Sequence, residues 1–363
     1  MISSDTRVHQ ITAGFGPGDA ISNEAKVIRK LLQEWGYQSE IYADPEHINS
    51  ASRQACQPIS SLSAEQTDAL IFHFSIGTPL VDSIRALPGR KIMIYHNVTP
   101  GDYFRPYSDR IARQLDQGRE QLAQLKNTFD LALADSEFNR LELESLGYSK
   151  TAVLPILLDT GRFSIRRQNI GSIISKRPKT MLFVGRLAPN KKPEDLIRVF
   201  GLYQKFYNPD SRLVWVGSWG GLEVYYLQIV KMIHELDVQN VILTGHVSEQ
   251  KLATWFCEAD AFVSTSEHEG FCVPILEAFH YGKPVIAYSA GAIPETVGDA
   301  GVLLKEKNFL QFAEAIDYVL GSNSLRAALI DRGRARLNGP FSLDRVSSLL
   351  KQHLESLLQS NPC

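Results

Sequence analysis

Residues 266–279, Ser-Glu-His-Glu-Gly-Phe-Cys-Val-Pro-Ile-Leu-Glu-Ala-Phe, put one acid, Glu269, before a turn and another, Glu277, just after it. Pro274 suits the first position of a helix, because the N–H it lacks is one the helix end leaves unpaired. A helix is therefore expected to start at Val273 or Pro274, with the amides of Phe271, Cys272 and Val273 directed outward as donors. A helix N-terminus carries roughly half a positive charge and favours anions. Glu277 falls one turn inside, where by itself it would read as an acid complementing the helix dipole. Glu269 falls beside the anion site, where a carboxylate repels the ligand that the amides attract. It makes sense there if it accepts hydrogen bonds from neutral hydroxyls, which sugars and riboses carry in numbers. A second stretch, Val-Gly-Arg-Leu-Ala-Pro-Asn-Lys-Lys-Pro at 184–193, sets Arg186 and Lys191 five residues apart in a turn ahead of Pro193. A guanidinium fork and an ammonium point charge could together hold a diphosphate, although alone the pair would read as a solvated basic turn.

These groups need loops to carry them, and the rest of the chain supplies a repeating pattern of such loops. Short apolar runs at 7–12, 38–42, 69–74, 91–96, 130–134 and 151–155 read as strands, with longer amphipathic segments between them. In the segment 21–35, Val27, Leu31, Leu32 and Trp35 share one helical face. A polar stretch at 166–180 interrupts the rhythm and reads as a linker. Strands resume at 181–185, 212–217, 240–245, 260–265, 284–288 and 301–304. Strand–helix alternation with nearly continuous apolar strands implies buried parallel sheets. The expectation is α/β, with two doubly wound Rossmann-like domains facing across a cleft: residues 1–165, residues 166–338, and a last helix at 339–363 that returns to the first domain. Ser342 is the expected N-cap of that helix. In such sheets ligands bind at the carboxyl ends of the strands, which is where the two stretches above fall.

Composition narrows the class. The 363 residues carry 38 basic and 40 acidic side chains. A net charge of −2 lacks the basic footprint of a nucleic-acid binder. Cysteines stand at 56, 257, 272 and 363 with no close pair, which argues against zinc and disulfides and fits a reducing, cytoplasmic setting. No run approaches the ~18 apolar residues of a membrane span, and peripheral membrane contact stays open. There is no Asp-x-Asp, and Arg186 with Lys191 could replace a metal clamp on a diphosphate, so no metal or cofactor is expected.

With these residues in hand, the chain resembles a retaining glycosyltransferase of family 4 with the GT-B fold. The resemblance rests on Glu269 and Glu277 in a Glu-x7-Glu motif and on Arg186 and Lys191. It implies transfer of a hexose from a nucleotide diphosphate sugar to a hydroxyl of a saccharide or lipid-linked saccharide, with UDP-glucose the first choice of donor and GDP-mannose the alternative. It further implies that Glu269 touches the donor sugar, Glu277 the ribose, and Arg186 and Lys191 the diphosphate. Gly270, Phe271, Cys272 and Val273 would bind the donor. Gly217, Gly245, His246 and Val247 would border the nucleobase, and His96 would lie against the donor sugar. On the acceptor side Asp19, His73 and Asn97 are candidates. Gly16 lies in the turn Ala-Gly-Phe-Gly-Pro-Gly-Asp-Ala (13–20), whose glycines permit close backbone approach; relatives often carry a double glycine here, which this chain lacks. Two other classes compete with this reading. A dinucleotide oxidoreductase would need glycine where Asp19 stands. A non-catalytic nucleotide-sugar binder would look the same in sequence as an enzyme.

Overall fold

The computed structural model describes residues 6–63, 67–163 and 177–359. Two compact units are present: Met1–Gly101, Ala112–Asp159 and Pro340–Cys363 form the first, and Asp102–Ile111 with Thr160–Gly339 the second. Of the expected linker, 166–176 lie outside the described residues, and Lys179 and Thr180 already belong to a strand.

The first unit holds β1 (Val8–Thr12), α1 (Ala20–Glu34), β2 (Ile41–Ala43), β3 (Gln57–Pro58), β4 (Ala69–Phe74), α2 (Val81–Ala86) and β5 (Arg90–Tyr95). It continues with the body of α3 (Asp109–Gln124), β6 (Leu131–Ala134), α4 (Glu137–Ser145) and β7 (Thr151–Val153). All seven strands run parallel, in the order β3-β2-β1-β4-β5-β6-β7. The two-residue strand β3 is too short to leave a periodic signal and was not anticipated. Every residue of β1 and β4 is buried, which is why β4 reads as a nearly continuous apolar run, while β1 buries His9, Gln10 and Thr12 beside Val8 and Ile11. On α1 the buried apolar positions are Ala25, Ile28 and Leu32, and Val27, Leu31 and Trp35 pack against the core that holds Ile28 and Leu32. The last helix, α12 (Leu343–Gln359), sends Val346, Leu350, Leu354 and Leu357 into that core beside Val8, Ile71 and Ile94, and Ser342 Oγ accepts from Arg345 N at 3.4 Å.

The second unit holds β8 (Lys179–Val184), α5 (Pro193–Phe206), β9 (Ser211–Val216), α6 (Glu223–Glu235), β10 (Val241–Leu243), α7 (Glu249–Glu258) and β11 (Ala261–Ser264). It continues with α8 (Val273–His280), β12 (Val285–Tyr288), α9 (Ile293–Val297), β13 (Gly301–Leu304), α10 (Phe309–Gly321) and α11 (Asn323–Asn338). Its parallel sheet is ordered β10-β9-β8-β11-β12-β13. In both sheets the strand order reverses beside the unit's first strand, next to β4 in one and β11 in the other. That reversal splays the outgoing loops and opens a crevice at the carboxyl ends. Among the described residues, no helix is long and apolar enough to cross a membrane.

Candidate functional site

In the second unit the crevice lies between the loops that follow β8 and β11. After β8 the chain makes a short helical turn at Pro189–Lys191, turns left-handed at Lys192 (φ 52°), and enters α5 at Pro193. Side chain and backbone stitch this loop to its neighbour. Glu267 N donates to Asn190 O at 2.9 Å, Asn190 Nδ2 donates to His268 O at 3.1 Å, and Thr265 Oγ1 donates to Lys192 O at 2.9 Å. The stitching brings Lys191 Nζ to 2.5 Å from Glu269 Oε2, the latter residue being buried. Lys192 faces the other way, toward Glu194 and Glu267. The ammonium and the acid assigned to different parts of one ligand thus form an ion pair with each other. The backbone of Glu269 is itself held: Ala292 N donates to Glu269 O at 3.0 Å, and a Cβ on Gly291 (φ 55°) would come within 2.5 Å of that oxygen.

Helix α8 starts at Val273, as its sequence predicted, and no side chain caps it. Cys272 precedes it in a left-handed conformation (φ 70°, ψ 64°), and burial together with the Glu269 charge pushes its thiol well above the ordinary range. Thr296 Oγ1 donates to Phe271 O at 2.6 Å, tying the turn to α9. Glu277 is buried one turn inside α8. Arg186 is exposed and donates through a terminal nitrogen to Gly220 O at 2.7 Å. Gly217 and Gly245 meet in an antiparallel bridge, next to His246 and Val247. Gly217 is glycine for a steric reason: a Cβ there would fall 1.8 Å from Gly185 O. Gly270 and the 271–273 turn sit between Glu269 and α8 in sequence and in space.

Sequence reasoning passed over several residues here. Trp219 lies against Gly245, with its six-membered ring 3.4 Å from where a Cβ would stand, and stacks on Tyr226 at 4.1 Å. Arg110 reaches the same loop as Arg186. Asn190 lies within the stretch 184–193, but an amide whose partner is a backbone carbonyl leaves no spacing signature.

In the first unit, the equivalent reversal holds a buried polar chain. Gln10 Nε2 donates to Ala25 O at 3.0 Å, so its Oε1 must accept from His73 Nε2 at 3.0 Å. Burial, and then His96, push the His73 pKa well below the usual value, so the ring is neutral and its Nδ1 accepts. His96 Nε2 therefore donates to it at 3.0 Å, and His96 Nδ1 lies 2.9 Å from Asp135 Oδ2. Burial pulls the His96 pKa down, but Asp135, Glu24 and Asp19 outweigh it and raise it to about 9. His96 is thus an imidazolium, with both ring nitrogens engaged inside the unit. Glu24 Oε2 stands 3.7 Å from His96 Nδ1, while its Oε1 accepts from Leu157 N at 2.9 Å. Burial raises Glu24 to about 8 against the pull of His96, so it holds a proton at neutral pH and adds to the His96 shift only as it loses that proton at higher pH. Asp135 is raised for the same reason.

Two details differ from the sequence reading. β5 ends at Tyr95, so His96 is the first residue past the strand, and β4 runs one residue beyond His73. Asp19 Oδ2 accepts from Ser22 N at 2.7 Å and Ser22 Oγ at 2.6 Å, which makes it the N-cap of α1. Ser22 Oγ in turn accepts from Gly16 N at 3.1 Å. Asn97 is left-handed (φ 75°) and donates to Asn139 Oδ1 at 2.9 Å. A pocket of about 430 Å³ opens beside these groups, lined by Gly14, Gly16, Asp19, Asn49 and His73 among others. Glu24, His73 and His96 each bring a ligand atom within 4.8 Å of one another, but the hydrogen bonds above already use the ring nitrogens that would bind a cation.

The described geometry can be set beside known proteins. Residues 165–336 match the family model for glycosyl transferases group 1. A capsular polysaccharide biosynthesis glycosyltransferase of Staphylococcus aureus, CapM, is 30% identical over 184 residues, which is 48% of this chain and 44% of that protein. The chain spans about half, or less, of the length of the curated relatives it matches. Sucrose-phosphate synthase from Thermosynechococcus elongatus aligns with a TM-score of 0.74 at 17% identity, over 98% of this chain and 100% of that one. Anabaena HepE, solved in complex with UDP and glucose, aligns with a TM-score of 0.70 at 18% identity, over 97% of this chain and 100% of that one. The chain therefore has the GT-B fold, and its second unit carries the segment that matches glycosyl transferases group 1.

Proposed function

We propose that the protein moves a hexose from a nucleotide diphosphate sugar to a hydroxyl of a saccharide or lipid-linked saccharide, with retention at the anomeric carbon. The observation that carries this reading is the pairing of Lys191 with Glu269 at 2.5 Å beside the start of α8. A cation suited to a leaving diphosphate and an acid suited to sugar hydroxyls stand within one sugar's reach of each other. Both lie in the segment that matches the glycosyltransferase family. On binding, the diphosphate takes the Lys191 ammonium, and Glu269 is released to accept from donor hydroxyls. Cleavage breaks the bond between the anomeric carbon and the phosphate oxygen. Negative charge then grows where Arg186, Lys191 and the α8 N-terminus can stabilise it. The acceptor oxygen bonds to the same face of that carbon, and its proton passes to a phosphate oxygen of the leaving group, so no side chain need act as base. Glu277 takes the ribose hydroxyls, and Gly217, Gly245, His246 and Val247 border the base.

His96 contributes through position and charge, because both of its ring nitrogens are occupied. UDP-glucose is the first donor to try, since HepE was solved with UDP and glucose; GDP-mannose is the alternative. The test is a panel of nucleotide sugars read by thermal shift, followed by NMR of the anomeric proton in the product. Stabilisation by one donor and a product of unchanged anomeric configuration support the reading. An inverted product, or stabilisation by none of the panel, defeats it.

A further inference from the structure

Arg186 has a cationic neighbour that its own strand does not supply. The stretch Asp102–Ile111 lies with the second unit and runs along the loop between β9 and α6. Tyr107 sits on Tyr225 with ring centroids 4.4 Å apart, and Ile111 Cδ1 comes within 3.5 Å of where a Cβ would stand on Gly221. The same point is 3.3 Å from a terminal nitrogen of Arg110 and 3.9 Å from one of Arg186. Two guanidinium groups thus converge on one spot. Like charges so placed repel each other, and burial and then Arg110 depress the Arg186 pKa while Glu223 pushes back. Compensation is thin. Glu223 Oε1 is taken by Gly221 N at 2.8 Å, and Arg110 forms no ion pair among the described residues. Lys191 and Lys192, by contrast, each have a carboxylate. Two exposed guanidiniums with Glu223 as the nearby carboxylate leave a net positive charge that raises the local potential and draws in an anion of matching size.

We infer that Arg110 and Arg186 form a two-guanidinium clamp for the diphosphate of the donor, with Arg110 a binding residue supplied from the first half of the chain. This rests on the reading of Arg186 given above, and it adds a residue that no motif marks. Planar forks offer paired N–H groups to phosphate oxygens, so two of them can hold one diphosphate from two sides while Lys191 takes the sugar-proximal phosphate.

The test uses inorganic diphosphate as probe, with calorimetric titration and thermal melts of the full chain at fixed ionic strength. Arg110→Ala is expected to weaken diphosphate binding about 10- to 100-fold, as loss of a charge-assisted contact should. Arg110→Glu should weaken it at least as much and yet raise the melting temperature of the ligand-free protein, because a carboxylate there pairs with Arg186. A merely structural arginine would lower both. Unchanged diphosphate affinity in the two variants overturns the clamp, as does a ligand-free melting temperature that falls in step with affinity, or a wild-type chain that binds no diphosphate. Diphosphate binding that depends on Arg110 in a protein that turns over no nucleotide sugar keeps the clamp and removes the transferase reading. Turnover undisturbed by Arg110→Ala keeps the transferase and removes the clamp.

Discussion

The same topological feature occurs twice in this chain and is filled in opposite ways. At the reversal beside β1 the titratable groups are buried: Glu24, His73 and Asp135 are at most 1% exposed, and a chain of hydrogen bonds joins Gln10, His73, His96 and Asp135. At the reversal beside β8, Arg186 is exposed, Arg110 repels it, and a tight ion pair, Lys191 with Glu269, joins groups that each suit a different part of one ligand. Topology puts loops in equivalent places, and burial decides what they can do. Charges taken out of water must satisfy one another and become structure. Charges left at the rim keep free energy to give to a ligand.

Removing a partner from the buried set should be the most damaging change. Asp135→Ala leaves the His96 imidazolium without its main counter-charge in a dry site, a loss of roughly 3–5 kcal/mol for a broken buried pair. Calorimetric melting should show the first unit unfolding well before the second. An unshifted melt would mean that His96 is neutral and that the assigned proton positions are wrong. On the other side of the comparison, Lys191→Ala should barely disturb folding but lower turnover about 100- to 1,000-fold, as for loss of one oxyanion-stabilising donor. The donor KM should rise less than turnover falls. Equal turnover in Lys191→Ala and wild type would remove the electrostatic role.

Between these extremes lies Gly291, which touches no ligand in the proposed scheme. Alanine there must adopt φ 55° with its methyl 2.5 Å from Glu269 O, so the acid-bearing loop has to move. A displacement of this kind is expected to cost about tenfold or more in turnover, by misplacing a group that must sit within a fraction of an ångström. Steady-state kinetics with a melting curve checks it; full activity would show that Glu269 tolerates displacement.

The unevenness of what could be read from sequence follows from the same contrast. Strands such as Ala69–Phe74 and Val285–Tyr288 were legible because parallel burial writes continuous apolar runs. The start of α8 was legible because Pro274 marks it. Arg186, Lys191, Glu269 and Glu277 stood out because charged residues clustered around a strand-to-helix turn form a local pattern. Glu24 did leave a trace, being one helical turn before Ile28 on the buried face of α1, but an acid on an amphipathic helix is ordinarily solvated. Gln10, Asp135 and Arg110 left none. Their partners lie 15 or more residues away in the chain, and pairings at that range are set by the tertiary fold and not by local periodicity.

The finest test of the comparison is pH, since only the buried site should tie stability to protonation near neutrality. His96, raised to about 9, holds a proton in the folded state that the unfolded chain releases near its ordinary value of roughly 6.5. Its contribution is therefore complete below about pH 6.5 and is lost as pH climbs through about 9. Glu24, raised to about 8, keeps its proton in the folded state after the unfolded chain has lost it, so stability also falls as pH rises toward 8. Asp135, raised by burial, adds a slope of the same sign at lower pH. His73 acts the other way: held neutral by burial, it lowers stability as pH drops below the range where the unfolded ring takes up a proton. Between pH 6.5 and 8 both effects have the same sign, each at most about 1.4 kcal/mol per pH unit, but they do not simply add, because Glu24 lifts His96 only as it ionises. Calorimetry at pH 6.5, 7.25 and 8 should show the first unit's transition moving down while the second unit's stays nearly level. Glu24→Gln, which fixes the neutral form, should make the slope shallower. A first-unit transition that stays level, or a slope untouched by Glu24→Gln, would show that the buried relay does not hold the extra proton, and the difference drawn between the two reversals would lose its electrostatic basis.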